Sequence, residues 1–99
     1  MPYFIEYSPD AEDHLQRLTA RQQKIVVDTV DRQLLNEPTT ETRNRKPMRP
    51  NPVAPWELRI GTLRVYYEVE EEPQPKVIVL AVGVKEREKV RIGPDIVEI

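Results

Sequence analysis

The chain has no cysteine, so disulfides and thiolate metal sites are excluded, and a reducing compartment is permitted. It has a single histidine, His14, which excludes a pair of histidines sharing acid and base roles. His14 lies beside the apolar stripe of a predicted helix with no second ligand or nucleophile at a useful spacing, and reads as a helix surface or boundary residue. There is no Gly-rich phosphate loop, no metal-ligand cluster and no Ser-His-Asp set, so no metal or cofactor is expected. No apolar run reaches the ~18–20 residues of a membrane span. The amino terminus lacks the basic and apolar regions of a secretory signal. The expectation is a soluble, cytoplasmic protein with no membrane partner.

What remains is one domain of 99 residues, 1–99, enough for two packed layers. Its net charge of −2 hides a strong asymmetry. Residues 43–64 hold six basic side chains (Arg43, Arg45, Lys46, Arg49, Arg59, Arg64) against one acid, Glu57. Residues 85–91 add four basic and two acidic side chains. The acids gather elsewhere, notably at Glu68, Glu70, Glu71 and Glu72. Local charge, not the overall balance, decides whether a surface attracts a polyanion.

The stretch 56–67 organises the chain. Trp56, Leu58 and Ile60 alternate with Glu57 and Arg59; Leu63, Val65 and Tyr67 alternate with Arg64 and Tyr66. Period-two alternation marks strands buried on one face. Gly61-Thr62 fits a type II′ hairpin turn, whose first position needs positive φ. The register then sets Ile60 opposite Leu63, Arg59 opposite Arg64 and Glu57 opposite Tyr66. Like charges directly opposed across strands destabilise by a few tenths to roughly 1 kcal/mol. An anionic ligand would relieve that repulsion; otherwise the arginines splay into water and Glu57 softens it.

Around this hairpin, residues 2–7 read as an edge strand. Ser8-Pro9-Asp10 starts a helix through a side-chain cap, a proline in the first turn and an acid at the positive end of the dipole. Thr19-Ala20-Arg21-Gln22 matches a capping box and starts a second helix, running to about Asn36 and ending before Pro38. Neither helix is apolar all round, so both should lie on one sheet face. Residues 37–55 read as a loop, because Pro47, Pro50, Pro52 and Pro55 forbid a central strand. Residues 76–83 form a β-branched apolar run suited to a central strand. Residues 84–91 read as a short turn or helix. Gly93-Pro94 breaks it, and Ile96, Val97 and Ile99 form an apolar tail suited to a sheet edge or a second chain. The expected fold is α+β, with order β-α-α-β-β-β and a two-helix hairpin packed on one face of a curved antiparallel sheet. Three basic elements converge on the other face: the loop with Lys46 and Arg49, the hairpin pair Arg59 and Arg64, and the segment from Lys85 to Arg91. Tyr66 would add a ring on which a base can stack.

The chain resembles the RelE/ParE superfamily of toxins from bacterial type II toxin–antitoxin systems. The resemblance covers Tyr3 to about Arg91. It rests on the element order, on Trp56-Glu-Leu-Arg-Ile, on Leu63-Arg-Val-Tyr-Tyr, and on Val77-Ile-Val-Leu-Ala-Val-Gly followed by Lys85-Glu-Arg-Glu. Lys46-Pro47-Met48-Arg49 is similar to the basic loop of the YoeB branch. The RelE branch implies a ribosome-dependent endoribonuclease that cuts mRNA and inhibits translation. There the RNA 2′-hydroxyl attacks the adjacent phosphate to leave a 2′,3′-cyclic phosphate, without metal or cofactor. Such chemistry needs a base, an acid and cations for the phosphorane charge. The resemblance makes Arg64 the phosphate contact, with Arg59 and Lys85 as further catalytic cations; Lys46, Arg49, Tyr66 and Arg91 would bind RNA. Glu57 stands where RelE has a lysine, and is either a substitute base or a neutraliser of the arginines. Arg91 stands where the family often ends in tyrosine or histidine. The alternative is a ParE-like inhibitor of DNA gyrase without catalysis, or a toxin-like subunit that has lost activity. In each case the resemblance implies a cognate antitoxin masking the basic face, as a homodimer or a heterotetramer with the antitoxin.

Overall fold

The computed structural model describes residues 2–98. Its elements in chain order are β1 (Phe4–Tyr7), α1 (Pro9–Gln16), α2 (Ala20–Leu34), β2 (Arg45–Pro47), β3 (Trp56–Ile60), β4 (Leu63–Glu70), β5 (Lys76–Glu86), β6 (Lys89–Ile92) and β7 (Asp95–Val97). The hairpin β3–β4 has the expected register: Ile60 pairs with Leu63, Arg59 with Arg64 and Glu57 with Tyr66. Gly61 sits at φ 59° while Thr62 is not in the positive-φ region, as a type II′ turn requires.

Both helix starts follow the caps in the sequence. The Ser8 hydroxyl accepts from the Ala11 amide at 3.1 Å. Thr19 and Gln22 exchange the two bonds of a capping box at 3.0 and 3.1 Å. Helix α2 ends at Leu34, two residues short of the expected end. The two helices cover one face of the sheet. There Ala11, Val26, Val30 and Leu34 pack against Leu58, Val65, Tyr67, Val77, Val79 and Val82 in a single apolar core. Trp56 stacks on Tyr67 across the hairpin, with ring centroids 6.2 Å apart.

The sheet has seven strands rather than the expected four, in the order β2-β3-β4-β5-β6-β7 with β1 against β5. Strand β5 is central: β4 runs along one side, and its other side is shared by β1 over Lys76–Val79 and by β6 over Gly83–Glu86. The β1–β5 pairing is parallel; every other pairing is antiparallel.

Two segments depart from the sequence expectation, and the tail takes one of its two expected places. Within 37–55, Arg45–Pro47 forms β2 on the outer edge of β3, where a terminal proline is tolerated. Arg45 ties this edge to the end of α2 by donating to the Gln33 and Thr40 carbonyls. Residues 84–91 form neither a loose turn nor a helix. They complete β5 and return as β6, with Arg87 at φ 61° in the turn. Their charges lie at an exposed strand tip, while Val84, Val90 and Ile92 supply the packing that overrides weak strand propensity. The tail docks on its own sheet edge as β7, pairing Val97 with Val90.

Candidate nucleic-acid interface

Strand alternation builds the second face in rows. Lys46 on β2, Glu57 on β3, Tyr66 on β4 and Ala81 on β5 stand side by side across the sheet. The next row holds Arg59, Arg64 and Gly83. A Cβ at Gly83 would lie 2.7 Å from the Arg91 carbonyl and from Val90 Cγ1, so only glycine lets β6 approach here. Lys85 follows opposite Val90. The segment 48–55 folds back over part of this face. Asn51 knots it: its Oδ1 accepts from the Val53 and Ala54 amides at 2.8 and 3.0 Å, and its Nδ2 donates to the Arg49 and Ala54 carbonyls at 2.7 and 2.9 Å.

Between this fold-back, the hairpin and the end of β5 lies an open cleft of about 510 Å³. It is lined by Lys46, Arg49, Glu57, Arg59, Arg64 and Lys85, with Pro47, Met48, Pro50, Asn51, Val90 and Glu98. Six of the eight sequence-predicted residues therefore meet in one place. Five cations face two carboxylates, which makes the cleft positive although the whole chain is slightly acidic.

The cations are held differently. Arg59 Nε donates to Glu57 Oε1 at 2.7 Å, so the buried carboxylate restrains a half-exposed guanidinium. Arg64 curls back onto the turn, donating to the Gly61 and Leu63 carbonyls at 2.7 and 2.9 Å. These two bonds resolve the like-charge opposition of Arg59 and Arg64 without a ligand. Lys46 pairs loosely with Glu41 at 3.6 Å. Arg49 and Lys85 make no ion pair among the described residues.

Two of the expected RNA-binding residues do not belong to the cleft surface. Tyr66 is fully buried beneath the fold-back and β6, in a second small cluster with Ala54, Ala81, Val90 and Ile92. No base can stack on it. The alternation put Tyr66 on the correct face, but the cover over that face comes from segments with no periodicity to reveal them. Arg91 points to the opposite face, paired with Val84 in register and with Glu86 by an ion pair at 2.5 Å. Once 89–92 is a strand, Val90 and Ile92 take the cleft side and Arg91 must take the other.

Burial raises the Tyr66 phenol well above the ordinary tyrosine range; Glu57 adds to the rise, and Arg64 and Arg59 oppose it. His14 lies away from the cleft, where its Nδ1 accepts from the Val82 amide at 3.3 Å. Sequence reasoning missed Glu98, which lines the cleft and pairs with Lys89 at 3.5 Å, and Asn51, whose place between two prolines was the available signal.

A two-helix hairpin on a curved sheet, with a cationic cleft on the sheet's far face, defines a small α+β toxin-like domain. The family model for the ParE toxin of type II toxin–antitoxin systems (parDE) matches residues 5–88, and the chain belongs to that family within the RelE/ParE superfamily. Among solved structures it is similar to a chain of the RelBE2 toxin–antitoxin complex from Mycobacterium tuberculosis, at 28% identity and a TM-score of 0.73. That likeness covers 86% of this chain and 100% of the other. No curated protein sequence matches the chain. The protein is thus the toxin of a type II toxin–antitoxin system, with an antitoxin as its partner. Among the described residues, no helix is long and apolar enough to cross a membrane.

Proposed function

We propose that the cleft binds messenger RNA and that the protein is a ribosome-dependent endoribonuclease inhibiting translation. The observation that carries this reading is the convergence of Lys46, Arg49, Arg59, Arg64 and Lys85 around the carboxylate of Glu57 in one open cleft. Arg64 contacts the scissile phosphate, leaving the hairpin carbonyls for a doubly charged oxyanion. Glu57 takes the proton of the 2′-hydroxyl as that oxygen attacks phosphorus. Lys85 gives a proton to the departing 5′-oxygen, and Arg59 and Lys46 offset the charge of the phosphorane. The products are a 2′,3′-cyclic phosphate and a free 5′-hydroxyl. Arg49, on the outer lip, guides the flanking backbone.

A second reading is a gyrase inhibitor without catalysis. The match to the ParE family favours it, as does a lining without any aromatic side chain among the described residues. Induced expression in a bacterial host separates the two. Mapping of RNA 5′ ends should reveal cuts within translated codons, with plasmid supercoiling unchanged. Uncut RNA together with inhibited gyrase would move the assignment to the second reading.

A further inference from the structure

Tyr66 poses a problem that neither the fold nor the cleft cations answer. Its side chain is fully buried, and its hydroxyl has no hydrogen-bond partner. A buried donor left unsatisfied is destabilising, and phenylalanine would fill the same space without that penalty. Such an orphan in a native core needs an explanation outside packing.

Its neighbours suggest one. Tyr66 stands directly across the hairpin from Glu57, and on its other side is Ala81, which offers nothing polar. The charged groups that act on the phenol are Glu57, through its charge and as an acceptor within reach of the hydroxyl though outside full hydrogen-bond geometry, and Arg64 and Arg59. Glu57 is only 8% exposed, and Arg59 is its single hydrogen-bond partner. Arg59 itself is half-exposed on the cleft. A phosphate entering the cleft competes for that guanidinium with two or three acceptor oxygens. When it wins, Glu57 loses its partner where a bare carboxylate is poorly solvated. Lys46, opposite Glu57 on β2, is already paired with Glu41, whereas the Tyr66 hydroxyl across the hairpin is an unpaired donor.

We propose that Tyr66 is the positioning residue of Glu57: when an anionic ligand draws Arg59 away, the Tyr66 hydroxyl donates to the freed carboxylate and holds it at the cleft wall. The orphan of the free protein is then half of a relay that ligand binding completes. The phenol keeps its proton through any working pH, so it serves as a donor and never as a base. The role rests on the reading of the cleft as a phosphate site, but it does not require that the RNA be cut.

The test is a double-mutant cycle on binding, followed by the same cycle on cleavage. The probe is a 2′-O-methyl RNA trinucleotide, which cannot form a cyclic phosphate, titrated at low salt into the unmodified protein, Tyr66→Phe, Glu57→Gln and the double variant. Tyr66→Phe should weaken binding about 3–10-fold, the worth of one hydrogen bond. The same change in the Glu57→Gln background should cost clearly less, because an amide oxygen is a weaker acceptor than a carboxylate. On ribosomes, Tyr66→Phe should lower kcat more than it raises KM. Without any change at position 66, the Tyr66 ring carbon bearing the hydroxyl should shift in the NMR spectrum on adding trinucleotide, and should shift less in Glu57→Gln. An equal loss in both backgrounds, or none in either, overturns the proposal. Coupling without cleavage by the unmodified protein would sink the ribonuclease reading and keep the positioning role. Cleavage with a flat cycle would do the reverse. A trinucleotide that does not bind the unmodified protein overturns the positioning role, and cleavage on ribosomes then decides the ribonuclease reading by itself.

Discussion

The two faces of the sheet are made by the same strands and do opposite work. On the helix face, Leu58, Val65, Tyr67, Val79 and Val82 meet α1 and α2 in one continuous dry core. On the cleft face, Ala54, Tyr66, Ala81, Val90 and Ile92 form a smaller cluster bordered by charge. The first face is closed by two capped helices. The second is roofed by a proline-rich fold-back and a C-terminal hairpin, segments with weak intrinsic order. Alternation lets one hairpin supply both, so that Leu58 and Glu57, neighbours in sequence, face the core and the cleft respectively.

That contrast can be broken at its sharpest point. Glu57→Gln should slow cleavage by roughly 10²–10⁴-fold if Glu57 is the base, with little change in a urea unfolding curve. Leu58→Ala should cost about 2–5 kcal/mol in the same unfolding experiment. If Glu57→Gln retained full cleavage, the carboxylate would be only a neutraliser of arginines. If instead it unfolded the protein, the two faces would not be separable. Arg64→Ala comes next. Losing one cationic donor to the phosphorane should reduce cleavage about 10²–10³-fold, read by 5′-end mapping on purified ribosomes. Unimpaired cutting would remove Arg64 from the site.

The smallest expected effects come from adjacent tyrosines. Tyr67, on the helix face, donates to the Pro38 carbonyl at 2.6 Å; Tyr66, on the cleft face, donates to nothing. Tyr67→Phe should therefore cost about 1–3 kcal/mol, while Tyr66→Phe should be neutral or stabilising. Burial raises both phenols above their unfolded value near 10. Above that pH the unfolded chain loses these protons first, so the stability they contribute is complete below pH 10 and declines as pH rises. Each buried tyrosine should steepen the alkaline loss by about 1.4 kcal/mol per pH unit, and each phenylalanine variant should flatten it, as urea unfolding at pH 9, 10 and 11 would record. Tyr7, pushed up to about 12 chiefly by burial, adds to the same decline.

These contrasts also explain what could be read from the amino acids. The hairpin register was legible because Gly61-Thr62 pins the turn and a one-residue slip would exchange the faces. The helix starts were legible because Ser8, Thr19 and Gln22 are local signals. The meeting of Lys46, Arg49, Arg59, Arg64 and Lys85 followed from three basic segments flanking one face. What was hidden depended on distant contacts. The strand character of 89–92 comes from packing Val90 and Ile92 over Gly83, not from a run rich in lysine and glutamate. Without that strand, neither the outward turn of Arg91 nor the burial of Tyr66 could be inferred. Arg45 looked like one more cation of the basic loop, whereas it is a buried clamp on the end of α2.

The parallel pairing of β1 with β5 sets an order of events. Phe4 waits for Lys76, and Tyr7 for Val79, so the first strand finds its partner strand after three quarters of the chain has been made. Closing so long a loop is slow compared with forming the helical hairpin. The C-terminal part of the roof comes later still, since Lys85 and Val90 follow the β5 residues that pair with β1. A chain halted at residue 75 would carry Arg59 and Arg64 on a hairpin with no strand to align them. Lys85 is thus the last of the five cleft cations to be made and set in place.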